Sequence, residues 1–271
     1  MLKQRIITAL IMLPIALIGF FWLQGGGFAL FVAAVVCVGA WEWARLAGLE
    51  AQPLRLAYAG AVALLLFGLY QAPQLAGLVL ALAVLWWLAA IGLVLGYPAS
   101  SRAWQALPVR LAIGLLILLP AWQGLLLLKQ WPDGNSLILA VMLLVWTADI
   151  GAYFSGRRFG RRKLAVQVSP GKSWEGVYGG LAACLLLTLA VGLCRDWAAR
   201  ELMMALLGAG LVVLISVVGD LTESMFKRQA GIKDSSNLLP GHGGVLDRID
   251  SLTAAVPMFA VLLWLHGWGS L

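Results

Sequence analysis

Two pairs of carboxylates stand three residues apart, Asp220 with Glu223 and Asp247 with Asp250, and they flank a stretch carrying Lys227, Arg228, Lys233, Asp234 and Arg248. Helical positions three apart share a face, so each pair can present its carboxylates to one side. Hard oxygen donors of this kind suit Mg²⁺, which takes one or two carboxylates and completes its shell with water and substrate phosphate. No serine–histidine or cysteine–histidine arrangement competes with them. Within the turn Gly241-His242-Gly243-Gly244 the missing side chains permit close approach of backbone to a ligand, while His242 reads equally as a ligand contact or as a plain hydrogen-bonding loop residue. The mundane account is an i,i+4 surface pair between Glu223 and Lys227, worth about 0.2–0.5 kcal/mol. It explains two residues and leaves the rest.

A second group, Ser169-Pro170-Gly171-Lys172-Ser173-Trp174-Glu175-Gly176, precedes an apolar run. Gly-Lys-Ser suggests a phosphate-binding P-loop, but the glycine required five positions earlier is Val166 and no soluble strand leads into it. What remains is a tight turn that aims backbone N–H groups and Lys172 at a helix start, a place suited to phosphate oxygens. The alternative is a basic turn against lipid headgroups. Asp149, within the third group Trp146 to Arg158, lies in or near the end of an apolar run and reads either as a structural ion pair or as a site wall.

These residues must be positioned by a chain that is 62% hydrophobic with a mean hydropathy of +0.93. Apolar runs near the roughly 20 residues needed to cross a bilayer recur along it. The expected spans are Ile6–Leu23, Phe28–Trp41, Leu56–Tyr70, Leu75–Leu95, Leu111–Leu128, Ser136–Tyr153, Val177–Leu193, Leu202–Val218 and Ser251–Trp268. The fold class is therefore all-α, a polytopic integral membrane protein of about nine transmembrane helices. The first run is longer than the apolar core of a cleaved signal peptide, so it is expected to be retained. Of the 31 charged side chains, 16 fall in residues 154–176 and 219–250, which marks these as the two working loops. The organisation expected is a region 1–135 of about five spans, followed by a catalytic region 136–271 that frames both loops.

Lys and Arg in short loops are retained on the cytoplasmic side. With the N-terminus inside, 16 of the 19 basic residues face the cytoplasm, and Lys129, Arg195 and Arg200 face out. Both charged loops then face inward and the C-terminus lies outside. Cys37, Cys184 and Cys194 form no CxxC pair and are expected to pack. The net charge of +7 suits anionic headgroups and polyanionic substrates, but topology alone also produces it.

The pattern Ser224-x-x-Lys227-Arg228-x4-Lys233-Asp234-x6-Gly241-His242-Gly243-Gly244-x-x-Asp247-Arg248-x-Asp250 resembles the signature of the phosphatidate cytidylyltransferases, also called CDP-diacylglycerol synthases. Segments 149–160 and 169–176 are similar too, so the likeness covers about residues 140 to 255. One departure is Gly171, where many relatives carry a second basic residue. The resemblance implies attack by the phosphate of phosphatidate on the α-phosphorus of CTP, giving CDP-diacylglycerol and pyrophosphate. A phosphomonoester, with a second pKa of about 6, is already largely ionised at pH 7, so the obstacle is repulsion between two polyanions. Metal ions and cationic side chains are the means to lower it.

On this likeness Asp220 and Asp247 are expected to bind Mg²⁺, with Asp250 as third ligand or behind them, in a two-metal site. Lys172, Lys227, Arg228 and Asp250 carry the catalytic roles. Ser173, Ser224, Lys233, His242, Gly243, Gly244 and Arg248 bind substrate. The partners implied are CTP, phosphatidate and membrane lipids, with no nucleic acid, and the family likeness implies a homodimer in a bacterial inner membrane. The competing readings are a CTP-dependent polyprenol or phytol kinase and a transporter of anionic solutes or lipids. A transporter would place its site near mid-membrane, often between internal repeats, and neither sign is evident.

Overall fold

In a computed structural model, which describes residues 2–268, all nine expected spans are helical. They are α1 (Leu2–Leu17), α2 (Gly25–Leu46), α3 (Gln52–Gln71), α4 (Ala76–Leu95), α5 (Leu107–Gln130), α6 (Gly134–Phe159), α7 (Trp174–Cys194), α8 (Ala199–Gln229) and α9 (Leu246–Leu265). Helices are the expected solution, because hydrocarbon offers no partner for a backbone N–H or C=O and a helix satisfies both within one segment. Among the described residues, eight helices are long and apolar enough to cross a membrane, and Ile6–Trp22 is a shorter apolar one. The side chains of Lys3 and Arg5 and the C-terminus at Leu271, which entered the charge argument, lie outside the described residues.

Most of the helices are longer than the apolar runs. The second and third spans, short by hydropathy, become helices of 22 and 20 residues, Gly25–Leu46 and Gln52–Gln71. α8 runs for 31 residues through Glu223, Lys227 and Arg228 before it ends at Gln229. α6 likewise carries Arg157 and Arg158 in its last turn. Once a helix is nucleated, each further residue adds a hydrogen bond, and Glu, Met, Lys and Arg are good helix formers, so entry into water does not end it. The two expected loops are therefore partly helix, and the irregular segments shrink to residues 160–173 and 230–245.

The first of these holds the one two-stranded sheet among the described residues, an antiparallel hairpin of β1 (Lys163–Ala165) and β2 (Ser169–Ser173), and the second holds a single antiparallel bridge between Leu239 and Gly243. Glu175, in the first turn of α7, binds its base. Its Oε2 accepts from the backbone N–H groups of Arg161 and Arg162 at 3.0 and 3.1 Å, and its Oε1 meets Arg162 Nε at 3.0 Å. The hydrogen bond to Glu175 holds the Arg162 guanidinium above its usual range. On the other side Arg228 Nε of α8 donates to the Val168 carbonyl at 3.1 Å.

The regions before and after residue 135 share one core: α2 and α5 pack on α9, and α4 packs on α8 and α9. Close crossings depend on small residues. A Cβ on Gly219 of α8 would stand 2.8 Å from the Asp250 carbonyl of α9, and one on Gly180 of α7 would stand 2.6 Å from the Ala148 carbonyl of α6. Large apolar side chains such as Leu30, Leu64, Phe67 and Leu186 point outward, as expected where the surrounding solvent is lipid.

Candidate active site

The functional side chains gather at one end of the bundle, where α6, α7, α8 and α9 meet. They form two adjoining groups, an open cleft and a buried polar knot. The cleft has a volume of about 370 Å³. α6 supplies Asp149, Ala152 and Gly156 to its wall, the end of β2 and the start of α7 supply Lys172, Ser173 and Gly176, and α8 supplies Val213, Val217 and Asp220. Ser251 of α9 and Arg157 of α6 complete the polar side.

Lys172 donates to Oδ2 of Asp220, and Ser224, one turn further along α8, donates to Oδ1 at 3.3 Å. Both members of the Lys172–Asp220 pair are partly exposed in the cleft, so the pair can open toward a ligand. Ser173 turns its hydroxyl inward to accept from Gly176 N at 3.2 Å, capping α7. A helix start leaves N–H groups that a serine at this position satisfies, and the same residue lines the cleft.

Asp250 stands at the junction of the two groups. It is half-buried, accepts from Ser251 N at 2.6 Å and lies within electrostatic range of Asp220, Lys172 and Lys227. Asp149 in turn lies in range of Asp220, Lys172 and Arg248.

Behind the cleft is the knot. Lys227, 9% exposed, sits between Glu223 Oε1 at 2.9 Å and Asp247 Oδ1 at 2.6 Å. The other oxygen of Asp247 accepts three donors, the Ser235 backbone N–H, the Ser235 hydroxyl and Gly244 N, each at 2.8 Å. Glu42 of α2 is completely buried and accepts from Ser235 Oγ, Ser236 Oγ, Val245 N and Leu246 N. The expected surface pair of Glu223 and Lys227 is thus an interior one.

The geometry gives each of the other expected site residues a definite place. Lys227 is enclosed by two carboxylates and not presented to the cleft; a buried ammonium needs such partners to offset lost hydration. Asp247 accepts from four protein donors, whereas Asp220 accepts from two, Lys172 and Ser224. Gly243, at φ +80°, would place a Cβ 2.8 Å from Asp247 Oδ2, and a Cβ on Gly244 would collide with Ser235 and Glu42. These glycines allow the turn to close on Asp247 and Glu42. His242 uses its backbone N–H to close the same turn on Leu239 O at 2.8 Å, and its Nδ1 is buried without a partner. Lys233 and Arg248 are exposed, and Arg228 holds the hairpin. Glu42 had no role in the sequence reading; a lone carboxylate in an otherwise apolar run was the signal that marked it.

Among the described residues, no three His, Cys, Asp or Glu side chains converge as a ready-made metal cage. The donor chemistry nevertheless suits Mg²⁺. Asp220 offers hard oxygens at the cleft and Asp250 offers them beside it, within range of Glu223, whose Oε2 is buried without a partner. An orphaned buried carboxylate oxygen is costly unless a cation or donor meets it.

The chain matches the model of the cytidylyltransferase family over residues 3–266. It is 71% identical over 270 residues to a phosphatidate cytidylyltransferase of Pseudomonas aeruginosa, covering 100% of both chains. A phosphatidate cytidylyltransferase of Haemophilus influenzae is 43% identical, over 96% of this chain and 98% of its own, and one of Brucella suis is 37% identical, over 98% and 93%. Likeness of this extent runs through the N-terminal helices as well as the charged segments. The chain belongs to the cytidylyltransferase family.

Proposed function

We propose that the protein transfers the cytidylyl group of CTP to phosphatidate, forming CDP-diacylglycerol and pyrophosphate for phospholipid synthesis. One observation carries this reading beside the family membership: a single cleft joins a charged end, with Lys172, Arg157, Asp149 and Asp220, to an apolar wall of Val177, Val213 and Val217 on membrane helices. A phosphorylated lipid needs both surfaces at once, and a water-soluble anion needs only the first.

The phosphate oxygen of phosphatidate forms a bond to the α-phosphorus of CTP, and the bond from that phosphorus to the bridging oxygen of pyrophosphate breaks. No strong base is required, because the attacking phosphate is already anionic. Lys172 and Arg157 offset the combined negative charge of the two substrates. Lys172 is suited to this because its present partner, Asp220, is itself accessible from the cleft. Mg²⁺, held by Asp220 and Asp250, would neutralise phosphate charge and hold the triphosphate in line. Asp247, with four protein donors on its two oxygens, keeps the turn 235–244 closed and leaves the metal to the other two.

The charge asymmetry supports a cytoplasmic orientation for this end of the bundle, on the side where CTP is found, and a bacterial inner membrane belongs to the same proposal. A homodimer is part of the same proposal. Labelled CTP tests the reaction. Purified protein with Mg²⁺ and phosphatidate should transfer label from the α-phosphate of CTP to chloroform-soluble CDP-diacylglycerol and release pyrophosphate. Transfer of the γ-phosphate label to a polyprenol instead would identify a kinase and overturn the reading.

A further inference from the structure

We infer that Glu42, on a helix remote in sequence from the charged segments, is a positioning residue that sets the start of α9 and so the placement of Arg248 and Asp250 beside the cleft. This rests on the cytidylyl-transfer reading above.

The start of α9 lacks a cap of its own. Val245 occupies the capping position, and an aliphatic side chain has no acceptor for the free N–H groups of a first helical turn. Glu42 supplies it from α2: Oε1 accepts from Val245 N at 3.0 Å and Oε2 from Leu246 N at 2.6 Å. A carboxylate is also the favoured charge at the positive end of the helix dipole. The same group reaches the loop ahead of the helix, accepting from Ser236 Oγ at 2.5 Å and Ser235 Oγ at 3.4 Å. Ser235 in turn holds Asp247. One buried carboxylate therefore couples both ends of the 235–246 turn.

Glu42 itself is held from elsewhere. Its neighbour Trp43 is 1% exposed, donates Nε1 to the Arg110 carbonyl of α5 at 2.8 Å and packs at 4.7 Å between ring centroids on Phe226 of α8. The end of α2 would thus stay in place if the carboxylate were changed, while the turn and the start of α9 would lose their reference point. Both oxygens of Glu42 receive a backbone N–H. A glutamine there leaves one such N–H facing its own NH₂ group in either orientation, so removal of charge alone is enough to disturb the helix start.

The test is steady-state formation of CDP-diacylglycerol by the full chain in nanodiscs, comparing wild type with Glu42→Gln and Ser236→Ala and normalising to folded protein. For Glu42→Gln the expected result is a kcat lower by about tenfold or more, with KM for CTP and phosphatidate moved by less than about threefold, since small misplacement of reacting groups acts on the rate. A purely structural role would lower the folded fraction and leave kcat per folded molecule at the wild-type value, which overturns the inference. If Glu42→Gln gives no folded protein, Ser236→Ala decides: it removes one loop-side donor to Glu42, together with the acceptor of Leu238 N, and leaves the buried carboxylate both backbone partners. A fall in kcat of about twofold or more supports positioning, and an unchanged kcat overturns it. A wild type that forms no CDP-diacylglycerol removes the cytidylyl-transfer reading and this inference with it, whereas an active wild type with an equally active Glu42→Gln removes only the inference.

Discussion

Lys172, at the end of β2, is ion-paired to Asp220 of α8, and both side chains remain partly exposed in the cleft. Lys227, one helical face away, is ion-paired to Asp247 with both side chains nearly closed to solvent, at 11% and 3% exposure. The two pairs look alike in sequence. An accessible pair can exchange its partner for a ligand, while a buried pair has already offset its desolvation internally and has nothing to offer one.

Lys172→Met should therefore act on turnover and hardly on folding. Removing the one lysine that lines the cleft is expected to lower kcat by about a hundredfold, the scale found when a single preorganised charge is lost from a reaction centre. Initial rates with labelled CTP, together with a thermal melt, check both halves. A variant with unaltered kcat would take Lys172 out of the reaction.

Lys227→Met should behave in the opposite sense. It leaves Glu223 and Asp247 buried without their counter-charge, a change that costs about 3–5 kcal/mol when one partner of an interior pair is removed. The expected observation is a lower unfolding midpoint and reduced yield of folded protein. Wild-type stability would show that Lys227 is free to act elsewhere.

Mg²⁺ dependence separates the aspartates. Chelation by EDTA should abolish turnover, and added Mg²⁺ should restore it. Asp220→Asn and Asp250→Asn should each raise the Mg²⁺ concentration for half-maximal rate by about tenfold or more, within the range for loss of a charged group from a metal site. Asp247→Asn should leave that concentration near the wild-type value while lowering stability, because its amide cannot accept all four donors. A rise for Asp247→Asn equal to that for Asp220→Asn would return Asp247 to the metal.

Helix spacing gives a paired comparison. Gly180→Ala would place a Cβ 2.6 Å from the Ala148 carbonyl, backbone against backbone, and force α6 from α7. A loss of about 1–3 kcal/mol is expected, as for overpacking of a close-packed interior. Gly171→Ala meets nothing within 4 Å and should melt with the wild type. Equal midpoints for the two variants would show that the α6–α7 crossing tolerates separation.

Much of this molecule was legible before its structure was known. Nine apolar runs yielded nine helices, because hydrocarbon leaves a single-segment solution for the backbone and hydropathy reports it directly. Asp220 and Glu223 do share one helix, as do Asp247 and Asp250. Helix ends were less visible: α8 passes its last apolar residue and continues to Gln229, since helix propensity and not hydropathy decides where it stops.

Residue types and spacing alone determined that this is a helical membrane protein and which two stretches gather its charge. Only the tertiary structure decided which charges are free to act. Asp220 and Asp247 are equivalent as letters, yet one faces a cleft and the other is enclosed by Lys227, Ser235 and Gly244. Glu42 joined the site through contacts that span roughly two hundred positions of the chain. Local pattern records what a side chain can do; its hydration and its partners, set by packing between distant helices, determine which of those capacities remain.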